Sequence, residues 1–145
     1  MKRTPTICSN IKFSWHAIEK MYNEQAGKHG FSISVGYVLL NIDKENGTPA
    51  TKIAPMLGME STSLSRILKN LEEEQLIFRK QDDIDKRLVK VYLTDKGKEA
   101  KELAKKVVRK FNELVKQEIS EKKLEIFNEV IEKINNIIAE KRVYN

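Results

Sequence analysis

Apolar residues recur every three or four positions along most of this chain, the period of a helix with one buried face, and switch to alternation over one short central stretch. Ile11, Trp15, Ile18 and Tyr22 mark a first helix that Ser9 or Asn10 can cap and that Gly27 and Gly30 interrupt. Ser32 or Ser34 opens a second helix through Val35, Val38, Leu39 and Ile42, ended by the turn-like Glu45-Asn46-Gly47. Its apolar face is expected to pack under the elements that follow. Pro49 suits the first turn of a third helix, with Ile53, Ala54 and Leu57 inward and Gly58 supplying the positive φ of a turn. From about Ser61, Leu64, Ile67, Leu68 and Leu71 fall at i, i+3, i+4 and i+7, which leaves the polar residues between them on the other face. Ile77 to Gln81 and Leu88 to Leu93 are β-prone runs joined by the turn sequence DDIDKR. Thr94 then caps a long helix with Asp95 in its first turn and Leu103, Val107, Phe111, Leu114 and Val115 on its apolar side, reaching about Glu118. Ser120 opens a last helix carrying Leu124, Phe127, Ile131, Ile134 and Ile138.

Within this order, residues 48 to 97 read as two helices across a tight turn followed by a charged hairpin, which is a winged helix-turn-helix. The predicted fold is therefore mainly α with a small β-hairpin wing. Charge agrees with the placement of the motif. The net charge is +6, and residues 61 to 110 hold 14 Lys and Arg against 9 Asp and Glu, whereas residues 111 to 145 are slightly acidic. A basic surface centred on the motif points to nucleic acid, and the C-terminal end is no DNA-binding tail. With 145 residues and 40% hydrophobic content the chain has room for one compact core. No apolar run approaches the roughly 20 residues needed to span a bilayer, and MKRTPTICSN lacks the apolar stretch of a signal peptide, so a cytoplasmic protein without a membrane partner is expected.

The wing carries Asp85-x-Arg87, a short strand, then Leu93-Thr94-x-x-Gly97. With the helix-turn-helix ahead of it, helices before and two long helices after, the chain resembles the MarR family of bacterial transcription regulators over nearly its whole length. That resemblance implies a regulator, commonly a repressor, that binds a pseudo-palindromic operator as a homodimer and is released by a small aromatic or amphipathic effector. It also divides the chain into a winged helix-turn-helix core at 34–97, a linking helix at 94–118, and dimerisation helices at 1–30 and 112–145. One departure is Gln75, where the family commonly ends its recognition helix with glycine. Gln takes the left-handed conformation at a cost of order 1 kcal/mol, so a different helix end is expected. The acidic run Glu72-Glu73-Glu74 is expected to limit phosphate contacts there.

A recognition helix needs small polar side chains near its N-terminus, so that its backbone approaches the base edges, and longer donors further on. Ser61, Thr62, Ser63, Ser65, Arg66 and Lys69 fit that requirement. Arg66 can take a guanine through paired hydrogen bonds or hold a phosphate, and spacing leaves both open. In the wing, Arg87 is expected in or near the minor groove with Lys86 and Lys90 near phosphates. The resemblance implies that Asp85 orients Arg87 through a charge-assisted hydrogen bond, the bland alternative being a solvated surface pair.

The apolar seam of the last helix is too extended for one small domain to cover, which predicts a homodimer in which Ile7, Ile11, Ile131, Ile134 and Ile138 take part. Packing within the subunit is the alternative. Trp15, Tyr22, Tyr37 and Phe111 are read as core in preference to an effector cavity. Cys8, the single cysteine, with Lys2, Arg3 and Lys12 near it in sequence, leaves a thiol-based redox regulator as a minority reading. His16, His29 and Cys8 show no metal-ligand spacing, no cofactor motif is present, and no nucleophile elbow, phosphate loop or paired carboxylates suggest an enzyme. A winged-helix protein-interaction module without specific DNA binding remains the alternative of a different class, against which the basic charge and Asp85-x-Arg87 count.

Overall fold

In the computed structural model, which describes residues 4–144, Thr6 caps the first helix, α1 (Ile7–Gly27), in place of the expected Ser9 or Asn10. The Thr6 hydroxyl accepts the Ser9 N–H at 3.1 Å and the Ser9 hydroxyl accepts the Thr6 N–H at 2.9 Å. This is a reciprocal capping box with serine in the glutamate position, a pairing that a residue-by-residue search for a cap overlooks. Ser32 caps α2 (Ile33–Leu40), and Asn23 of α1 accepts the Ile33 N–H at 2.9 Å. The helix ends at Leu40, short of Ile42, because the Asp43 carboxylate gathers the N–H groups of Glu45 and Asn46 at 2.9 and 2.7 Å. These backbone bonds, the one from Asn46 foremost, hold the Asp43 carboxyl below the usual carboxylate range.

The turn leads into β1 (Thr48–Pro49), a strand of two residues that no alternation could announce, and then α3 (Ala50–Leu57). Pro49 thus precedes the helix and lies outside its first turn. After α4 (Ser61–Glu73) come β2 (Ile77–Gln81) and β3 (Val89–Leu93), antiparallel from Ile77 opposite Leu93 to Gln81 opposite Val89. Thr48 pairs with Val91, which sets the sheet order β1-β3-β2. Leu88, expected to begin the strand, belongs to the turn, where its N–H donates to the Asp85 carbonyl at 2.9 Å. The α5 helix (Asp95–Glu118) starts at Thr94, whose hydroxyl accepts the Gly97 N–H at 3.0 Å. Ser120 caps α6 (Glu121–Ala139), and a 3-10 turn (Arg142–Tyr144) follows.

The chain divides into two compact units, Met1–Val107 and Val108–Asn145. The core of the first gathers Val38, Leu39 and Ile42 from and after α2, Ile53 and Ala54 from α3, Leu64, Leu68 and Leu71 from α4, and Leu76, Ile77, Val91, Leu93 and Ala100. The α2 face does lie under the helix-turn-helix, as its pattern predicts. In the second unit α6 has no fully buried residue. Among the described residues no helix is long and apolar enough to cross a membrane.

Helices α3 and α4 end in the same way. After α3, the Met59 N–H reaches the Ala54 carbonyl at 2.9 Å and the Gly58 N–H the Pro55 carbonyl at 3.2 Å, with Gly58 at φ 59°. After α4, the Leu76 N–H reaches the Leu71 carbonyl at 2.9 Å and the Gln75 N–H the Glu72 carbonyl at 3.0 Å, with Gln75 at φ 59°. Both are Schellman ends. The expectation of a different end at Gln75 is therefore corrected: glutamine adopts the left-handed conformation that glycine would take. The reason lies across the fold. The Thr94 hydroxyl donates to the Gln75 carbonyl at 2.6 Å, the Thr94 N–H to the Leu76 carbonyl at 3.1 Å, and Lys96 Nζ to the Glu74 carbonyl at 3.0 Å. Gly97 closes the joint, since a Cβ there would overlap the Leu76 carbonyl oxygen.

Two substitutions at this joint should act in opposite directions in thermal or urea unfolding. Gly97→Ala forces backbone apart and is expected to cost at least about 2 kcal/mol. Gln75→Gly relieves the left-handed strain and is expected to stabilise by up to about 1 kcal/mol. A neutral Gly97→Ala would show that α5 and the Leu76 carbonyl are not in close contact.

Candidate nucleic-acid interface

Because Leu64, Leu68 and Leu71 are buried, α4 presents its other side to solvent, and Ser61, Thr62, Ser63, Ser65, Arg66 and Lys69 are all exposed there. The first turn of this surface bears only short side chains. Ser65 turns its hydroxyl back to the Ser61 carbonyl at 2.9 Å, which keeps it close to the helix and leaves its lone pairs outward. Arg66 and Lys69 stand beyond as the long donors.

The wing is fastened to this helix by an ion pair between Arg79 of β2 and Glu72 of α4. Glu72 is thereby neutralised, so the acidic run expected to oppose phosphates is reduced to Glu73 and Glu74. At the wing tip the Asp82 carboxylate accepts the N–H groups of Asp85 at 3.0 Å and Ile84 at 3.2 Å, with Lys90 Nζ 3.5 Å away. The Asp85 N–H bond, with those from Ile84 and Lys90, pulls the Asp82 carboxyl below the usual range, against the opposing effect of desolvation. Asp85 accepts the Arg87 N–H at 3.1 Å and lies 3.5 Å from Arg87 Nε. Its shorter bond thus shapes the turn, and its contact with the guanidinium is long. Arg87 is 95% exposed and Lys86 is exposed beside it, whereas the Lys90 side chain is only 26% exposed and its ammonium faces Asp82.

Asp82 and the Arg79–Glu72 pair escaped the reading of the sequence. The spacing Asp82-x-x-Asp85 in a turn is the signal that could have identified the first; nothing local announces the second, which joins a helix to a strand. Lys101 was missed as well. It is buried and donates through Nζ to the Ile42 carbonyl beyond α2. Desolvation foremost, then nearby Lys105, pushes its pKa down, with Asp43 and Glu102 opposing.

Of the remaining candidates, Tyr22 is buried and meets the half-buried Tyr37 edge-on at 6.4 Å, whereas Trp15, read as core, stacks on Tyr37 at 6.2 Å but is 43% exposed, because it covers Tyr37 from the solvent side of α1. Phe111 is half-buried in α5. Burial raises the pKa of both Tyr22 and Tyr37. Cys8 is exposed in the first turn of α1 and Lys12 is exposed on the next, while Lys2 and Arg3 lie outside the described residues. His16 lies 3.5 Å from Glu19, and among the described residues no group of three His, Cys, Asp or Glu side chains is arranged to hold a metal. Ile7 and Ile11 are exposed on α1; on α6 Ile131 and Ile134 are half-buried and Ile138 is 62% exposed.

A sequence profile of the MarR family matches residues 33–89, the stretch from α2 to the first residue of β3. The HTH-type transcriptional regulator SarZ of Staphylococcus aureus is 25% identical over 140 residues, covering 96% of this chain and 90% of that protein. The HTH-type transcriptional regulator TtmR of Methylorubrum extorquens is 30% identical over 92 residues, 63% of this chain and 47% of that protein, so the match spans about half of that relative's length. Among solved structures, a putative MarR family regulator from Listeria monocytogenes complexed with a 26mer DNA superposes with a TM-score of 0.82 at 22% identity, covering 97% of this chain and 94% of that one.

The wing tip yields a pH prediction. Asp82 is bound by backbone N–H groups as the anion, so its contribution to loop order is present above the ordinary aspartate pKa of about 3.9 and is lost as pH falls through the lower folded value. The amide resonances of Ile84 and Asp85 should therefore titrate together with a midpoint below about 3.9. A midpoint at or above that value would contradict the Asp82-centred turn.

Proposed function

We propose that this chain, whose residues 33–89 match the MarR family profile and which aligns with SarZ over nearly its whole length, is a DNA-binding transcriptional regulator and not an enzyme, and that it acts as a homodimeric repressor. Each copy sets α4 into a major groove of a pseudo-palindromic operator, the two half-sites about one helical turn apart, with the wing alongside. One observation carries this reading: a helix backed by buried leucines exposes Ser61, Thr62, Ser63, Ser65, Arg66 and Lys69, and the same unit holds Arg87 outward on a shaped wing. In this reading Arg66 and Lys69 are the long donors of the major-groove surface. Arg87, with Lys86, serves the minor groove and phosphates, while Asp85 and Lys90 act through the shape of the wing. The DNA in the Listeria complex belongs to that protein's structure and supports the same use of the fold here.

Residues 34–97 are assigned to the DNA-binding core, 94–118 to the linking helix, and 1–30 and 112–145 to dimerisation. The apolar row of α6, with Ile131, Ile134 and Ile138 and no fully buried residue, supports self-association, as do the exposed Ile7 and Ile11 on α1. Sedimentation should give a dimer that Ile131→Lys with Ile138→Lys converts to monomer; a monomer at every concentration of the unaltered chain defeats the assignment. On the family resemblance we propose release by a small aromatic or amphipathic effector, with reorientation of the two half-sites as the regulated variable.

The deciding experiment uses a duplex selected by the unaltered protein from a randomised pool, compared with scrambled DNA by fluorescence anisotropy over a salt series. Preference for the selected duplex should survive physiological salt, and Arg87→Ala should weaken it about tenfold with the dimer intact. Equal, salt-sensitive binding to both duplexes would leave an interaction module without specific DNA recognition as the better reading.

A further inference from the structure

The wing tip is poorly built to be held on DNA by charge alone. From residue 80 to 90 it has four cations, Lys80, Lys86, Arg87 and Lys90, and three carboxylates, Asp82, Asp83 and Asp85. Each carboxylate already stands near a cation: Asp82 is 3.5 Å from Lys90, Asp83 is 3.9 Å from Lys80 and Asp85 is 3.5 Å from Arg87. The affinity that cations draw from counterion release scales with the phosphates they neutralise, and a nearly neutral tip has little to offer.

At the end of this tip stands an isoleucine. Ile84 is 97% exposed, more than any other large apolar side chain among the described residues. Phe78, also exposed on the wing, stacks on Tyr92 at 5.3 Å, whereas Ile84 projects into solvent and adds nothing to the core. Its backbone is nonetheless held, because its own N–H and that of Asp85 both donate to Asp82. A stiff, β-branched apolar side chain thus stands on a held backbone in the turn of the wing, three residues from Arg87. Such groups fit one nucleic-acid surface in particular, the apolar sugar walls of the minor groove; architectural proteins likewise bring Ile, Leu or Phe to that groove, where they wedge between base steps.

We propose that Ile84 is a DNA contact that packs against the deoxyribose walls of the minor groove beside Arg87, giving wing binding an apolar component insensitive to salt. The inference rests on the DNA-binding reading above. It carries a sequence preference of the indirect kind, because a narrow A·T-rich groove brings both walls within reach of one side chain.

The test compares Ile84→Ser, Ile84→Leu and Arg87→Ala with the unaltered dimer on the selected duplex, by anisotropy over the same salt series. Ile84→Ser should weaken binding about tenfold at every salt concentration with the slope unchanged, and Ile84→Leu should bind nearly as the unaltered protein does. Arg87→Ala should also weaken binding, but with a shallower salt dependence. Unchanged affinity in Ile84→Ser, with Arg87→Ala impaired, overturns the proposal while the DNA-binding reading stands. If neither substitution matters while a duplex is still selected, the wing is not a DNA contact and the proposal falls with the role given to Arg87; if the unaltered chain selects no duplex, the DNA-binding reading itself falls and takes the proposal with it. A lowered melting temperature in Ile84→Ser would place the residue in the fold and also count against the proposal.

Discussion

The carbonyl groups at the end of α4 are the point on which the first compact unit of this molecule depends. Once Gln75 turns left-handed, the Gln75 and Leu76 carbonyls emerge from the helix with no helical partner, and the start of α5 supplies both of their hydrogen bonds through Thr94. The same threonine caps α5. One residue therefore ends one helix and starts another, and Gly97 is required because the Leu76 carbonyl occupies the space its side chain would need. The Leu-Thr-x-x-Gly run is, physically, the socket for the end of α4. It fixes where α4 stops, hence where β2 begins, hence the register of the wing.

Charge in the wing serves shape before it serves attraction. Asp82 and Asp85 spend their strongest hydrogen bonds on backbone N–H groups of the tip, and Lys90 lies against Asp82. Arg79 is committed to Glu72. An anion near DNA is unfavourable in isolation, but one that gathers backbone donors and neighbouring cations costs little and holds a loop still. Rigidity of this kind lowers the ordering cost of binding, since the wing need not be organised on contact. The buried Lys101 plays a similar part behind the core, donating to the Ile42 carbonyl just beyond α2, where the chain leaves the helix early.

The second unit follows a different logic. Its helix α6 keeps apolar residues every three or four positions yet buries none of them fully. Here the monomer leaves unsatisfied the hydrophobic pattern that the first unit satisfies internally.

Helix periods, the alternation in β3 and the caps at Ser32, Thr94 and Ser120 were legible in the sequence because each is a local property of a few adjacent residues. The exposed face of α4 was legible for the same reason: once Leu64, Leu68 and Leu71 are inward, geometry puts Ser61, Arg66 and Lys69 outward. Tertiary structure decided what depends on partners distant along the chain. Pairing with Val91 makes a strand of Thr48 and Pro49, Glu72 claims Arg79, and Lys101 finds a carbonyl 59 residues away. Gln75 is the clearest case, because intrinsic preference weighs against its left-handed turn by about 1 kcal/mol, while several hydrogen bonds and a tight backbone contact supplied by α5 hold the carbonyls around it in place. A local preference of that size yields whenever long-range contacts exceed it, and those contacts exist only after the chain has folded.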